Sequence, residues 1–491
     1  MAFLSGVAII NPTRRLALNT AAPMAARLVD AAFAAVYLRL LGRADAGAFT
    51  SLVVLTTYLD TLVDFGLNAL IAREVSRGSV SPTTAFRSAN VLRTGLWLVG
   101  LPIVLLIYGP LHAEMNLPDA AALAGGMFYL ALAPSILAKT ATGLLWSAER
   151  LDLNAFVSVL ATLVKTALGV IVLFAGLSVI GLALTSLVTN VVSAIVLFVL
   201  ADGRLHLQRT TFLAGTGLLA TLRERHFLGG WLHESWPLFV NQLLQGLFFK
   251  IDALLLLPLA GDVAAGTYAA AYKVSEGAGI ISSSFTLALF PRLSRGTDLS
   301  GAYRMALRVL LQISLPLAVG IALLSSPIVA VIGGREYLPD SAVALTILIC
   351  YLPLSYTNGL TQYVLIAAGK QRLLTAAFAA ALVFNLIANA LLIPRFSYIG
   401  AAWVTVASEL VLLVPFRAAA ASVTRGVSLA REARTPLLAT LLMAPLVWWL
   451  RDFTHPLVAV PVGAAVYLTA LWALGGIDAT QRRLLLQFVR P

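Results

Sequence analysis

Fourteen stretches of about 20 predominantly apolar residues follow one another along the chain, and this repetition limits the fold more than any other feature. About 20 residues is the length a helix needs to cross the hydrocarbon of a bilayer. Approximate spans are 16–41, 46–71, 89–109, 120–146, 155–175, 180–200, 235–258, 264–290, 305–332, 341–367, 373–393, 399–421, 437–450 and 457–477. Only helices and closed barrels cross lipid, because no water is present to satisfy backbone N–H and C=O groups. The composition agrees: 60% of the 491 residues are hydrophobic and 11% charged, against roughly 25% charged in soluble domains. The expected class is an all-α polytopic membrane protein of about fourteen transmembrane helices.

The net charge of +12 reads as a topology signal and not as a nucleic-acid footprint, because of where the arginines fall. Arg14 and Arg15 precede the first span, and Arg73, Arg77 and Arg87 lie between the second and third. Arg204, Arg209, Arg223 and Arg225 lie between the sixth and seventh, and Arg425, Arg431 and Arg434 follow the twelfth. All of these are on one side, which the positive-inside rule assigns to the cytoplasm with both termini. An even number of spans requires the same. The basic excess is also expected to grip anionic headgroups. The N-terminal arginines follow the first apolar residues instead of preceding them, so no cleavable signal pattern is expected.

The chain repeats itself at an offset of 219 residues. Gly42 and Gly47 of "YLRLLGRADAGAF" align with Gly261 and Gly266 of "LLPLAGDVAAGTY". Gly181 aligns with Gly400, and Pro134 with Pro353. Repeats of this length mark duplicated units. With six spans each, the halves share one orientation and are expected to relate by a pseudo-two-fold along the membrane normal, with a transported substrate between them. The expected divisions are a six-helix bundle at 1–200, a cytoplasmic interfacial linker helix at 201–234, a second six-helix bundle at 235–421, and two further helices with a basic tail at 422–491.

Five of the 34 basic residues are lysine, and four of those, Lys139, Lys165, Lys250 and Lys273, fall inside spans. Arg27 joins them in this buried set. Charges at membrane depth are costly and face a bundle interior or a watery cavity. Lys250 and Asp252 are two residues apart, so they point about 200° from each other and each needs its own surroundings. Arg27 with Asp30, and Lys273 with Glu276, are spaced to share a helix face. Such pairs read either as clasps between helices or as substrate contacts. Lys165 and Lys250 have no partner on their own helix, which favours a cavity role. Asp60 and Asp64 put like charges on one face, so sharing of a proton or a coupling cation is expected; Asp64 alternatively is simply wetted at the cytoplasmic end. Glu409 stands alone in an apolar span. Asn385 and Asn389 read as interhelical hydrogen-bonding groups. Arg93, near a span end, reads as a snorkelling side chain.

The sequence has no histidine–cysteine cluster with metal spacing, no phosphate loop and no nucleophile elbow, so no cofactor and no enzymatic activity are expected. Its one cysteine, Cys350, sits in the tenth span and has no disulfide partner in the chain.

The stretches "SWPLFVNQLLQGLFFKIDALLLLPLAGDVAAGTYAAAYKVSEG", "FPRLSR" and "NLIANALLIPRFSYIGAAWVTVASE" resemble the polysaccharide-exporting flippases. That family belongs to the superfamily that also holds multidrug extruders and peptidoglycan-precursor flippases. Pro237, Ile251, Asp252, Gly261, Gly266, Tyr268, Pro291 and Arg292 carry the likeness. The family often places an aromatic and a glycine where this chain has Phe396, Ser397 and Tyr398, a departure expected to matter little. The resemblance implies two bundles forming a V around a cavity that opens alternately to each side. The implied cargo is an oligosaccharide on polyprenyl diphosphate, carried across a bacterial cytoplasmic (inner) membrane for surface polysaccharide synthesis (O-antigen or exopolysaccharide), beside a polymerase complex in some systems. On that reading Arg27, Lys139, Lys165, Lys250 and Lys273 hold the diphosphate and sugar. Asp30, Asp60, Asp64, Asp252, Glu276 and Glu409 balance charge or couple to an ion gradient or potential. The rivals are a multidrug cation antiporter, whose cavity should be dominated by acids, and a peptidoglycan-precursor flippase.

Overall fold

The computed structural model describes residues 12–205, 225–295, 299–424, 426–453 and 456–477. Every regular element among them is helical. In chain order the α-helices are α1 Pro12–Asp64, α2 Leu67–Ser76, α3 Pro82–Tyr108, α4 Asp119–Leu130, α5 Leu132–Ser147, α6 Leu151–Phe174, α7 Ser178–Leu205 and α8 Arg225–Ala260. They continue as α9 Asp262–Arg295, α10 Leu299–Leu323, α11 Ser325–Ile332, α12 Asp340–Leu348, α13 Leu352–Ala367, α14 Gln371–Ala421, α15 Leu429–Leu450 and α16 Pro456–Ala473. Ten helices among the described residues are long and apolar enough to cross a membrane. Two of them, α1 and α14, each contain two spans joined at a kink. Each of the fourteen expected spans overlies one helix, a pair of consecutive short helices, or half of a kinked one. Most of the expected interfacial linker helix, at 206–224, lies outside the described residues.

The chain divides into two compact units, 1–266 and 267–491. In the first, α1 packs along α6 and α8, and α5 packs on α2, α3 and α7. One apolar cluster in it centres on Phe65, Leu67, Leu70, Ile71, Phe86 and Leu144. The seventh span, α8, belongs to this unit. Phe239 stacks on Phe65 at 4.4 Å between ring centroids. Tyr58 donates to the Gly246 carbonyl at 3.3 Å, and Asn116 to that of Pro258 at 3.2 Å. The Pro258 carbonyl is available because it lies in the last turn of α8, which ends at Ala260, and the Gly246 carbonyl takes Tyr58 as a further donor.

In the second unit α10 packs on α13 and α15, α15 on α16, and α14 on α12 and α13. Its α9 is held by hydroxyls: Tyr356 donates to the Ala278 carbonyl at 2.6 Å and Ser341 to that of Thr267 at 2.7 Å. Hydroxyl-to-carbonyl bonds join helices in a medium that offers no hydrophobic drive between them. The two helices outside the repeat share a small apolar core of Met443, Val447, Tyr467 and Leu471.

Backbone breaks recur at the repeat offset. Gly42 and Gly261 both take positive φ, 72° and 86°, where one span turns into the next. Pro134 follows the α4–α5 break, and Pro353 opens α13 after the turn that ends α12. Ser178 and Ser397, also 219 residues apart, take φ of 43° and 51°. The break in α14 falls at Ser397, with ψ of −137°, in a region that normally only glycine occupies. The departure from the family's glycine therefore does have a structural consequence. The aligned glycines Gly47 and Gly266 meet backbone to backbone: a Cβ on Gly266 would collide with the Arg43 carbonyl, and one on Gly47 with that of Asp262.

Ser397→Gly is expected to stabilise the protein by about 1 kcal/mol, by relieving a strained φ/ψ pair; the thermal midpoint in detergent should rise. Gly266→Leu should do the reverse, with most of the folded protein lost, because backbone cannot move away as a side-chain tip can. Unchanged midpoints for both variants would show that neither backbone feature matters.

Candidate functional site

Three carboxylates of α1 each meet a cation from a different helix. Asp30 pairs with Lys165 of α6. Asp60 pairs with Lys139 of α5 at 2.8 Å, and the same ammonium donates to the Asp60 carbonyl at 3.2 Å. Asp64 pairs with Arg93 of α3 at 2.8 Å. Asp60 and Asp64 thus each pair with a cation of their own, and Asp60 also lies within electrostatic reach of Arg93. Their separation of four residues along a helix about 10 Å wide lets two neighbouring helices supply one cation each.

The three pairs differ in accessibility, and the difference sorts their roles. The Arg93 side chain is 0% exposed and that of Asp64 9%. Arg93 also donates to Thr140 at 2.6 Å and Asn68 at 2.9 Å, and Thr140 bonds Asn90 at 2.8 Å. Arg93 therefore does not snorkel. The two terminal nitrogens of its guanidinium serve three acceptors deep between α1, α2, α3 and α5, while its buried Nε has no hydrogen-bond partner among the described residues. Lys139 and Asp60 are 21% and 32% exposed. Lys165 and Asp30 are 40% and 45% exposed, so a ligand can reach them. Lys165 lies nine residues before the end of α6 at Phe174, about 14 Å along the axis, which is near the middle of a 30 Å hydrocarbon layer.

Arg27, expected with the buried set, is exposed. It lies beside Leu28, off the buried stripe of Ala26, Phe33, Ala34 and Tyr37. On α8, Lys250 is half-buried and Asp252 is 2% exposed. One Asp252 carboxylate oxygen accepts the Ala253 N–H at 2.9 Å.

In the second unit Lys273 pairs with Glu276 one turn along α9 at 2.8 Å, as their spacing implied, with side chains 25% and 37% exposed. Glu409 is not alone: Asn358 of α13 donates to its carboxylate at 2.6 Å and to its carbonyl at 2.9 Å. Asn385 donates to Ser408 at 2.9 Å and Asn389 to Asn385 at 2.7 Å, joining the two arms of α14 across its kink. The sequence signal for Asn358 was weak, since a single asparagine in a span has no pattern. Among the described residues, no group of three or more histidine, cysteine or acidic side chains is placed to hold a metal.

Long apolar helices with accessible charge pairs at mid-span are the construction of a membrane transporter rather than of an enzyme. Solved structures bear this out for the fold. The lipid II flippase MurJ, in an inward closed conformation, matches with a TM-score of 0.75 at 16% identity, over 92% of this chain and 97% of that one. An inward-facing multidrug resistance MATE family transporter of the MOP superfamily matches with a TM-score of 0.60 at 15% identity, over 82% and 96%. A MOP superfamily transporter from Pyrococcus furiosus, described as having a binding pocket of reverse polarity, matches with a TM-score of 0.52 at 16% identity, over 88% and 97%. No curated protein sequence matches. The profile of the family described as "Polysaccharide biosynthesis protein" matches residues 13–297, and the chain belongs to that family.

The exposure gradient yields a stability test. Arg93→Met leaves Asp64 charged and sealed, and should cost about 3–5 kcal/mol. Lys165→Met, at an open pair, should cost under about 1 kcal/mol. Thermal unfolding of the purified variants in detergent measures both; equal losses would refute the division into a closed and an open pair.

Proposed function

We propose that the chain flips polyprenyl-diphosphate-linked oligosaccharide units from the cytoplasmic to the outer leaflet of a bacterial inner membrane, with both termini in the cytoplasm. The observation that carries this reading is the Lys165–Asp30 pair: an ammonium and a carboxylate from different spans, at mid-membrane depth and open to a ligand. A diphosphate brings its own negative charge and takes the carboxylate's place on the ammonium. Charge-assisted bonds of that kind are strong where the dielectric is low. Lys273 and Glu276 offer the same exchange in the second unit, and Lys250 with Asp252 supplies further charge on α8. Asp30 and Asp252 in the first unit, and Glu276 in the second, then balance the cations of their own unit when no cargo is bound. Arg93, Asp64, Lys139 and Asp60 are assigned to holding the helices in place. Glu409, which takes side-chain hydrogen bonds from Asn358 and Ser355, remains a coupling group for an ion gradient or potential. The sugar head travels among polar groups and water while the prenyl tail stays in lipid. Membership of a polysaccharide biosynthesis family and a fold shared with a lipid II flippase support the cargo class. A polysaccharide polymerase is the expected partner on the outer side.

Spheroplasts of a strain lacking the chain, treated with a membrane-impermeant sugar-labelling reagent, should accumulate lipid-linked oligosaccharides that escape labelling. Restoring the gene should reverse this. Lys165→Ala and Lys250→Ala should each restore at most about a tenth of export at wild-type abundance, the loss of one charge-assisted contact. Normal labelling with no accumulation in the deletion strain would replace this reading with cation export. Normal export by both variants would remove the lysines from the site.

A further inference from the structure

The N-terminal end of α8 is tied to α2 by a contact unlike those that close the core of the first unit. Arg73, in the last turn of α2, pairs with Glu234 of α8, 161 positions further along the chain. Both side chains are open, 42% and 53% exposed. Arg73 is also held by its neighbour Glu74 at 2.7 Å, and Glu74 has Arg77 at 3.9 Å. Releasing Glu234 leaves Arg73 paired and hydrated, so this contact breaks at little cost. The backbone around it carries two breaks. α1 gives way to α2 at Phe65 and Gly66, both at positive φ, 49° and 74°. Pro237 lies inside α8, just after Glu234. It has no N–H for the His233 carbonyl and its ring crowds that turn, so the helix can bend there. Beneath the ion pair the fit is close. A Cβ on Gly66 would stand 2.8 Å from the Leu238 Cβ and 3.2 Å from the Ser235 carbonyl oxygen. Ser235 is fully buried, and its hydroxyl has no hydrogen-bond partner among the described residues.

We propose that the residues of α8 before Pro237 form a hinged flap, and that the Arg73–Glu234 ion pair is the latch that holds it against α2. Phe239, stacked on Phe65, lies on the far side of the hinge and marks the part of α8 that stays in place. Glu234 is then the swinging end, and Ser235 is the residue it covers. An unpartnered buried hydroxyl favours the open position, where water satisfies it. The ion pair and the close contact at Gly66 favour the closed one. Opposing terms of this kind give a short segment two accessible positions. On the flippase reading the flap stands at the cytoplasmic leaflet, where the cargo enters; the latch itself does not rest on that reading.

The test follows a thiol at the covered position of the full chain in detergent, with Cys350→Ala removing the native cysteine. Ser235→Cys changes the size of the side chain little and breaks no hydrogen bond of the hydroxyl. Its alkylation by N-ethylmaleimide proceeds only as often as the flap opens. Glu234→Gln should speed it about threefold, the effect of losing one exposed ion pair. Exchanging the charges, Arg73→Glu together with Glu234→Arg, should bring the rate back toward that of the parent. High salt, which screens exposed charges, should speed the parent and leave Glu234→Gln unchanged. Ala141→Cys, buried in the same unit away from the flap, should react slowly and at one rate in every background. A thiol at position 235 that never reacts, or whose rate ignores Glu234, would overturn the flap and its latch. An equal acceleration at Ala141→Cys would overturn them as well, by showing a general loosening of the unit. No step measures transport, so failure here leaves the flippase reading standing.

Discussion

A charge that has left water must be answered by another charge, and in the first unit one helix makes that demand three times. Asp30, Asp60 and Asp64 all project from α1, and their partners come from α6, α5 and α3. Lipid supplies no hydrophobic force between helices. The ion pairs therefore do in this unit what a core does in a soluble domain: they specify which helix lies beside which. Removing Arg93 leaves Asp64 charged and desolvated, so the closed pair is defended by the cost of breaking it and not by the small net gain of forming it.

The same chemistry serves two purposes, separated by access. Arg93 spends its fork on Asp64, Asn68 and Thr140, out of reach of solvent. Lys165 has one carboxylate and a large open remainder. A flexible ammonium that releases one anion for another suits a site that must bind and let go. A planar guanidinium locked to several acceptors suits a joint.

The duplication preserved backbone geometry and let the charges diverge. Positive-φ turns recur at Gly42 and Gly261 and at Ser178 and Ser397, each pair 219 residues apart. At the same offset Lys139 aligns with Asn358, Asn190 with Glu409, Arg93 with Gln312 and Lys165 with Phe384. The Asn358–Glu409 bond of the second unit thus occupies positions that hold Lys139 and Asn190 in the first, where Lys139 turns to Asp60 and Asn190 to the Ala131 carbonyl. Helix breaks depend on a single residue's φ and ψ and survive drift in side chains. A buried charge survives only with its partner, so a pair is kept or lost as a whole.

The sequence by itself determined the helices, because a span's length and apolarity are local properties fixed by bilayer thickness and backbone hydrogen bonding. It also determined the repeat, with Gly42 aligned on Gly261 and Pro134 on Pro353, and the in-helix pair Lys273–Glu276, all of which are read from spacings along the chain. Tertiary structure alone decided who answers whom. Asp30 meets Lys165 across 135 positions, Glu409 meets Asn358 across 51, and Arg93 meets Asp64 across 29. It also turned Arg93 inward and Arg27 outward, against expectation, and set α8 against the first unit. No periodicity encodes such choices, because the partner of a buried charge is selected by which helix packs alongside, and that selection is made by the whole bundle at once.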